Sequence, residues 1–163
     1  MFSSQASDSP LARRILRGAI SGFVATAPMT ASMIIGWRLL PAREKYPLPP
    51  QQITGKIADQ LNVDLSEPER DAVALTLHFA YGAAAGATYG LLTPLPLLPA
   101  SIQGALAGVA LWVGSYLGWL PALRILPPAT RHPRRRNLLM IAAHIVWGVT
   151  FGVINRKLNS EDQ

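Results

Sequence analysis

Two histidines stand inside long apolar stretches of the sequence, where their imidazole rings could carry chemistry. The pattern His, two residues, an aromatic residue, Gly, three residues, Gly begins at His78 and again at His144. Histidine changes its charge near neutral pH and also ligates metals. Three interpretations stay open: a structural hydrogen bond between helices, a proton-responsive pair, and bis-histidine ligation of haem. The structural interpretation is favoured, because polar groups in lipid face the protein interior. We expect no cofactor and no metal.

The distribution of charge indicates the elements that carry these histidines. Charged residues make up 15% of the 163 residues, and residues 72–123 contain none. About 20 apolar residues cross a bilayer as a helix, and the prolines within 93–99 interrupt the long uncharged stretch. We predict an all-α fold and a single membrane domain with flexible tails at 1–12 and 158–163. The predicted bundle has four transmembrane helices, at about 18–38, 71–92, 100–121 and 137–155. We expect the last span, the shortest, to give the weakest hydropathy signal.

Glycine spacing and a repeated order of motifs predict an internal duplication. A helix that opens with Gly-x-x-x-Gly, then Leu-Pro-Pro, then a histidine helix occurs twice. Two crossings return the chain to its starting side, so the copies are two parallel-repeat helical hairpins, at about 18–92 and 100–155. Small residues four apart let helices approach closely in lipid, and Gly114 and Gly118 share that spacing. The predicted helix-packing residues are Gly18, Gly22, Gly82, Gly86, Gly90, Gly104, Gly108, Gly148 and Gly152.

The long loop of the first hairpin is predicted to have structure of its own. Ile53, Ile57 and Leu61 recur every four residues, which indicates a short amphipathic helix on the membrane surface. Ser66 and Glu69 have the spacing of a capping box, so the next helix should start there. In the first span, Pro28 removes one backbone hydrogen bond and predicts a helix kink.

A basic strip precedes the last span and suggests contact with lipid. Arg131, Arg134, Arg135 and Arg136 either bind anionic lipid head groups or set the topology. Lys and Arg are more frequent in the loops after the first and third spans, which favours placing both termini outside the cytoplasm. The lipid bilayer is the expected partner. Nucleic-acid binding is not expected, because no folded soluble basic surface is predicted.

The motifs do not indicate an enzyme. The predicted spans contain no paired carboxylates, no nucleophile with a neighbouring base and no phosphate-binding loop. The absence of cysteine excludes disulfides and thiol catalysis. We therefore expect a small non-enzymatic membrane protein. The alternatives are a small transporter or channel with proton-responsive histidines, for which a pore would need a homodimer, and a haem-binding redox helper.

Several of these motifs together resemble the YagU-like group of small bacterial inner-membrane proteins. The resemblance covers most of residues 15–155. It implies a multi-pass protein of the bacterial inner membrane that is associated with acid tolerance, and it supplies no catalytic residues. A contribution to envelope homeostasis is the role that we expect of such a non-enzymatic protein. The motifs that carry it are Gly18-x-x-x-Gly22 with Pro28-Met29-Thr30, the following Leu-Pro-Pro, His78-x-x-Tyr81-Gly82-x-x-x-Gly86, and Trp119-Leu120-Pro121.

Overall fold

The described residues of the computed structural model, 9–92 and 98–160, form helices and connecting turns with no strand among them. This confirms the all-α prediction. The predicted proline turn and the outer parts of both tails lie partly or wholly outside the described residues. The helices are α1 (Pro10–Leu39), α2 (Pro49–Leu61), α3 (Glu67–Gly90), α4 (Ala100–Val113), a π-helical segment (Gly114–Trp119), α5 (Leu120–Ala122) and α6 (Arg134–Ser160). Short 3-10 turns at Ala42–Glu44 and Ala129–Arg131 complete the described structure.

Within the described residues, three helices are long and apolar enough to cross a membrane: Pro10–Leu39, Ala100–Ala122 and Arg134–Ser160. The prediction that the last span would give the weakest signal is wrong, because the apolar part of α6 has the highest mean hydropathy of the three helices. The helix that falls short is α3, where a histidine, two tyrosines and three glycines lower the hydropathy. Residues 10–12 and 158–160, predicted as flexible tails, are helical.

The long helices are arranged in the order α3, α1, α6, α4. Helices α1 and α6 pack against each other at the centre, α3 lies along the other side of α1, and α4 lies along the other side of α6. Neighbours in this order run antiparallel, as the contacts of Gly36 with Leu139 and of Gly22 with Trp147 show for the central pair. Helices α3 and α4 do not pack along their lengths.

The glycines bring the backbones of two helix pairs into contact. On α1 and α3, a Cβ at Gly22 would collide with the carbonyl oxygen of Gly82. On α4 and α6, a Cβ at Gly104 would collide with the carbonyl oxygen of Gly148. The other predicted packing glycines face backbone atoms in the same way, namely Gly18, Gly86, Gly90, Gly108 and Gly152.

Two glycines depart from the prediction based on spacing. A Cβ at Gly114 or at Gly118 would meet nothing within 4 Å. Both lie in the π-helical segment, where the chain leaves regular α geometry and Gly118 has a φ of −108° and a ψ of −105°. Spacing of four residues therefore does not make this pair a packing site. Around Pro28, in contrast, α1 continues as one helix, and the predicted kink stays a prediction.

The loop helix and the start of α3 follow the sequence closely. Helix α2 confirms the short helix predicted in this loop, although Leu61 at its end is 66% exposed. Its position on the membrane surface stays a prediction. The capping box is confirmed: the Ser66 amide donates to Glu69 Oε2 at 2.9 Å, and the helix begins at Glu67. These hydrogen bonds hold the pKa of Glu69 below its usual value, with the Ser66 side chain as the larger cause. Helix α2 packs on α3, and this contact places α2 beside the region between α3 and α4.

Candidate functional site

A cavity of about 430 Å³ occupies the space where α3 and α4 fail to pack. All four long helices and α2 contribute to its lining, and both predicted histidines, His78 and His144, lie on its wall. Its volume falls within the range of about 300–1,000 Å³ that is usual for small-molecule sites. The two histidines therefore share one site, which the repeated sequence pattern by itself does not require.

His144 is fixed on α6 by a bond to its own helix. Its Nδ1 lies 2.8 Å from the carbonyl oxygen of Met140, and only 5% of the residue is exposed. Its ring is nearly perpendicular to the ring of Tyr116, with 6.0 Å between the centroids. The structural interpretation expected a partner on a neighbouring helix, but the backbone of α6 supplies it.

His78 is held more loosely, by a side chain of α1. Its Nδ1 lies 3.4 Å from Thr30 Oγ1. The Thr30 hydroxyl donates to the carbonyl oxygen of Thr26 at 2.7 Å, so it accepts from His78. Because the Thr30 proton is already used, the direction of the His78 bond is defined.

The π-helical segment after α4 supplies the aromatic and hydroxyl groups of the site. Ser115, Tyr116 and Trp119 all line the cavity. The hydroxyl groups of Tyr81 and Ser115 lie 2.9 Å apart, and the Trp119 indole donates to the Tyr81 hydroxyl at 3.3 Å. We name these three residues, Tyr81, Ser115 and Trp119, the latch. π-Helical turns are rare, and they are frequent at functional sites. The sequence analysis did not predict this segment, which the structure places on the cavity wall.

Helix α2 covers one end of the cavity, and a buried arginine anchors it. Pro49, Ile53 and Thr54 face the cavity from α2. Arg136 donates to Gln52 on α2 at 2.9 Å and is 5% exposed. Its guanidinium also lies over the ring of Tyr46, 5.3 Å from the centroid.

The predicted lipid-binding strip is thus divided by the structure. Arg131, Arg134 and Arg135 are exposed, whereas Arg136 points inward to α2. Beside them, burial and then the charge of Arg136 lower the pKa of His132. The positive charge available for lipid head groups comes from the three exposed arginines.

The cavity ends about halfway along the long helices. Its deepest residues include Thr26, Gly82 and Trp147. Beyond them, the glycine contacts close the α1–α3 and α4–α6 pairs. Trp147 closes the centre, because its indole donates to the Gly22 carbonyl oxygen at 3.1 Å. The cavity is therefore blind: it reaches from α2 to the level of Trp147 and stops there.

The chemistry of the lining is that of a binding site. Aliphatic and aromatic side chains dominate the wall, and the polar groups on it come from histidine, tyrosine, serine and threonine. Among the described residues no group of three or more His, Cys, Asp or Glu could hold a metal ion. The arrangement can enclose an apolar molecule and offer it a few hydrogen-bonding groups.

Comparison with known proteins finds a family but no characterised relative. No curated protein matches the chain, and no solved structure matches it. The family described as "Protein of unknown function (DUF1440)" matches residues 29–153, which include both histidines, α2 and the π-helical segment. The YagU-like resemblance and the bacterial origin that it implies stay predictions. Because the match covers most of the sequence, the chain belongs to the DUF1440 family.

Proposed function

We propose that this chain is a four-span protein of the bacterial inner membrane that binds a small lipid-soluble molecule, and that it acts by binding and not by catalysis. Helix α3 would be the fourth span. Its 24 residues extend about 36 Å as a helix, more than the roughly 30 Å of the hydrocarbon core. Val73, Leu75 and Leu77 are exposed along it, as lipid-facing side chains would be.

The contacts of the glycines support two duplicated hairpins, α1–α3 and α4–α6. The contact of Gly22 with α3 corresponds to the contact of Gly104 with α6. The contacts thus align Gly22 with Gly104, whereas the Gly-x-x-x-Gly motifs alone would align Gly18 with Gly104, which is one helical turn away. The alignment by contacts also matches Gly36-Trp37 with Gly118-Trp119, two identical dipeptides that the sequence analysis did not use. In this repeat α1 corresponds to α4 and α3 to α6, so His78 and His144 are equivalent.

One observation carries the functional proposal: both histidines open onto one blind cavity with mostly apolar walls. Apolar molecules gain free energy on leaving water, but much less on leaving lipid. Selection of a ligand from a membrane therefore depends on shape and on hydrogen bonds in the site. The histidines, the latch and Thr26 are the groups that could make this selection.

Quenching of tryptophan fluorescence by a long-chain bromoalkane tests whether the cavity binds. Trp119 and Trp147 line the cavity, so a bromine atom there would quench them. In lipid nanodiscs, the wild-type protein should show a saturable component that is lost when Leu111→Phe and Ala84→Phe fill the cavity. The matched control is Leu106→Phe on the exposed face of α4. Equal, non-saturable quenching in all three proteins would contradict the proposal.

The exposed arginines extend the proposal to the membrane surface. Arg131, Arg134 and Arg135 would bind anionic lipid head groups, since each basic residue near such a surface contributes about 1 kcal/mol. Removal of all three charges should shift the lipids retained by the purified protein towards neutral species. Unchanged lipid composition would leave these arginines as topology signals only.

A second candidate function is proton-responsive transport, which the shared position of two imidazoles favours. The blind cavity would then be one state of a carrier that opens to the other side. Proton flux into liposomes from about pH 5 to 8 should rise as histidine protonates, and should disappear in His78→Ala/His144→Ala. Flux equal to that of empty liposomes would reject transport and leave the binding proposal standing.

A further inference from the structure

We infer that the cavity takes a neutral single-chain amphiphile with a hydroxyl head, a long-chain alcohol, which enters sideways from the bilayer between α3 and α4. This inference rests on the proposed binding function and names its ligand class. Three observations carry it: the hydrogen-bonding state of the two imidazoles, the absence of charge among the described lining residues, and the exposed gap that the latch spans.

Both imidazoles offer the cavity a hydrogen-bond acceptor. The Met140 carbonyl can only accept, so Nδ1 of His144 carries the proton. Thr30 has already donated its proton to Thr26, so Nδ1 of His78 donates to Thr30. A neutral imidazole protonated at Nδ1 has an acceptor at Nε2. Neither Nε2 has a hydrogen-bond partner among the described residues, and both residues line the cavity.

The lining also decides the charge of the ligand. None of the described lining residues is Asp, Glu, Lys or Arg. A carboxylate or an ammonium group would lose its hydration without gaining a counter-ion, which is costly in an apolar site. A hydroxyl group is neutral and can donate to Nε2. The ligand that satisfies the site is therefore an uncharged hydrogen-bond donor.

The volume and walls determine the rest of the molecule. An apolar cavity of about 150 Å³ accommodates benzene, so the 430 Å³ present here would accommodate on the order of a dozen carbon atoms. Met29, Met33, Ile53 and Leu111 provide adaptable apolar contacts along the wall. Flexible methionine side chains fit irregular alkyl chains well.

The gap between α3 and α4 provides the route of access. Leu77, Tyr81 and Trp119 line the cavity, yet 47%, 38% and 37% of their surfaces are exposed. The other sides are covered by α2, by the packed α1–α6 pair and by the glycine contacts. The hydrogen bonds of the latch span the gap, and they would have to break when a chain passes.

Quenching by an ω-bromo alcohol of about a dozen carbon atoms tests the head group, with the bromoalkane, bromocarboxylate and bromoalkylammonium of equal length as comparisons. The alcohol should bind the wild-type protein in nanodiscs about tenfold more tightly than the alkane, which is the value of one net hydrogen bond. Loss of both acceptors in His78→Phe/His144→Phe should abolish that difference, and His78→Gln/His144→Gln, which keeps an acceptor at each position, should restore part of it.

The outcomes separate this inference from the proposal beneath it. Equal binding of alcohol and alkane would leave a ligand-binding cavity but overturn the hydroxyl head. Tighter binding of the carboxylate or the ammonium would also overturn it. Binding of none of the four probes would overturn the binding function itself.

Stopped-flow quenching tests the route. Tyr81→Phe removes the hydrogen bonds of the latch but keeps the ring, so association and dissociation should both accelerate at least threefold with little change in affinity. Gln52→Ala loosens α2 from Arg136 instead, and should leave both rates unchanged. Acceleration by Gln52→Ala and not by Tyr81→Phe would place the route beneath α2 and overturn lateral access.

Discussion

The α1–α6 contact and the α3–α4 gap are equivalent regions of the proposed repeat, yet one is closed and the other contains a cavity. In the closed region the Trp147 indole reaches the Gly22 backbone, and Leu139 packs on Gly36. In the open region Tyr81 stands in the place of Trp147, and its hydroxyl meets Ser115. The same pair of helices can therefore form a packed interface or a binding site, depending on a few side chains.

The π-helical segment explains much of this difference. Gly36 and Gly118 are equivalent in the proposed repeat, but a Cβ at Gly36 would collide with Leu139, whereas a Cβ at Gly118 would meet nothing within 4 Å. Helix α1 continues regularly through Gly36. The second copy leaves α geometry at Gly114–Trp119 and turns Ser115 and Tyr116 into the cavity. A local change of helix type thus accompanies the open one of these two contacts.

The largest expected effect separates the glycines that pack from those that do not. Gly104→Ala places a Cβ against the Gly148 carbonyl oxygen, and backbone cannot easily move away, so we expect a loss of about 3 kcal/mol in the free energy of unfolding. Gly114→Ala is the matched control on the same stretch. It meets open space and should stabilise by up to about 1 kcal/mol through helix propensity. Unfolding in mixed micelles measures both, and equal losses would contradict this assignment.

The next effect compares the two indoles at the closed and open regions. Trp147 is 2% exposed, and Trp147→Phe removes its hydrogen bond to Gly22 and leaves unfilled space in the core. We therefore expect the free energy of unfolding to fall by about 2 kcal/mol. Trp119→Phe removes only the bond to Tyr81 at the exposed gap and should cost about 0.5 kcal/mol or less. Unfolding in mixed micelles measures both losses in the free energy of unfolding. A larger loss for Trp119→Phe than for Trp147→Phe would show that the gap is closed in solution.

The sequence predicted the elements better than the site, for physical reasons. Hydrophobic periodicity and capping chemistry are local, so α2 and the start of α3 at Glu67 could be located in advance. The same histidine pattern begins at His78 and at His144, but a repeated pattern does not by itself bring two rings onto one cavity.

The π-helical segment could not be predicted from the residues, because a one-residue shift in hydrogen bonding leaves no periodic signature in six residues. The residue that leaves helical geometry is Gly118, at which a Cβ would meet nothing within 4 Å. Its spacing from Gly114 is the same as that of the packing glycines, so the sequence does not set it apart. Arg136 was misleading in another way. It belongs to a run of arginines, and only the fold turns it inward to Gln52.

A smaller effect concerns α2, which covers the cavity at the open region and has no counterpart to cover at the closed α1–α6 contact. Arg136→Met should release α2 by removing the bonds to Gln52 and Tyr46. Because the chain has no cysteine, a single Thr54→Cys on the buried face of α2 reports the release by its rate of thiol labelling. We expect about a tenfold increase, the equivalent of one net hydrogen bond. Arg135→Met, exposed and adjacent, is the control, and equal rates in both backgrounds would show that Arg136 does not hold α2.

The smallest expected effect distinguishes the starts of α3 and α6, the two helices that the proposed repeat makes equivalent. Helix α3 begins with the Ser66–Glu69 capping box, whereas α6 begins with arginines, whose charge opposes the helix dipole. The hydrogen bonds from Ser66 lower the pKa of Glu69 in the folded chain. A lowered carboxyl pKa contributes stability above the ordinary value of 4.5, and this contribution is lost as the pH falls through the folded pKa.

Amide exchange, corrected for its intrinsic pH dependence, should therefore show the first turn of α3 loosening below about pH 4.5 and that of α6 unchanged. Glu69→Gln should remove the pH dependence and Glu67→Gln should keep it, because Glu67 takes no part in the capping box; loosening at the same pH in Glu69→Gln would assign the effect to another carboxyl group.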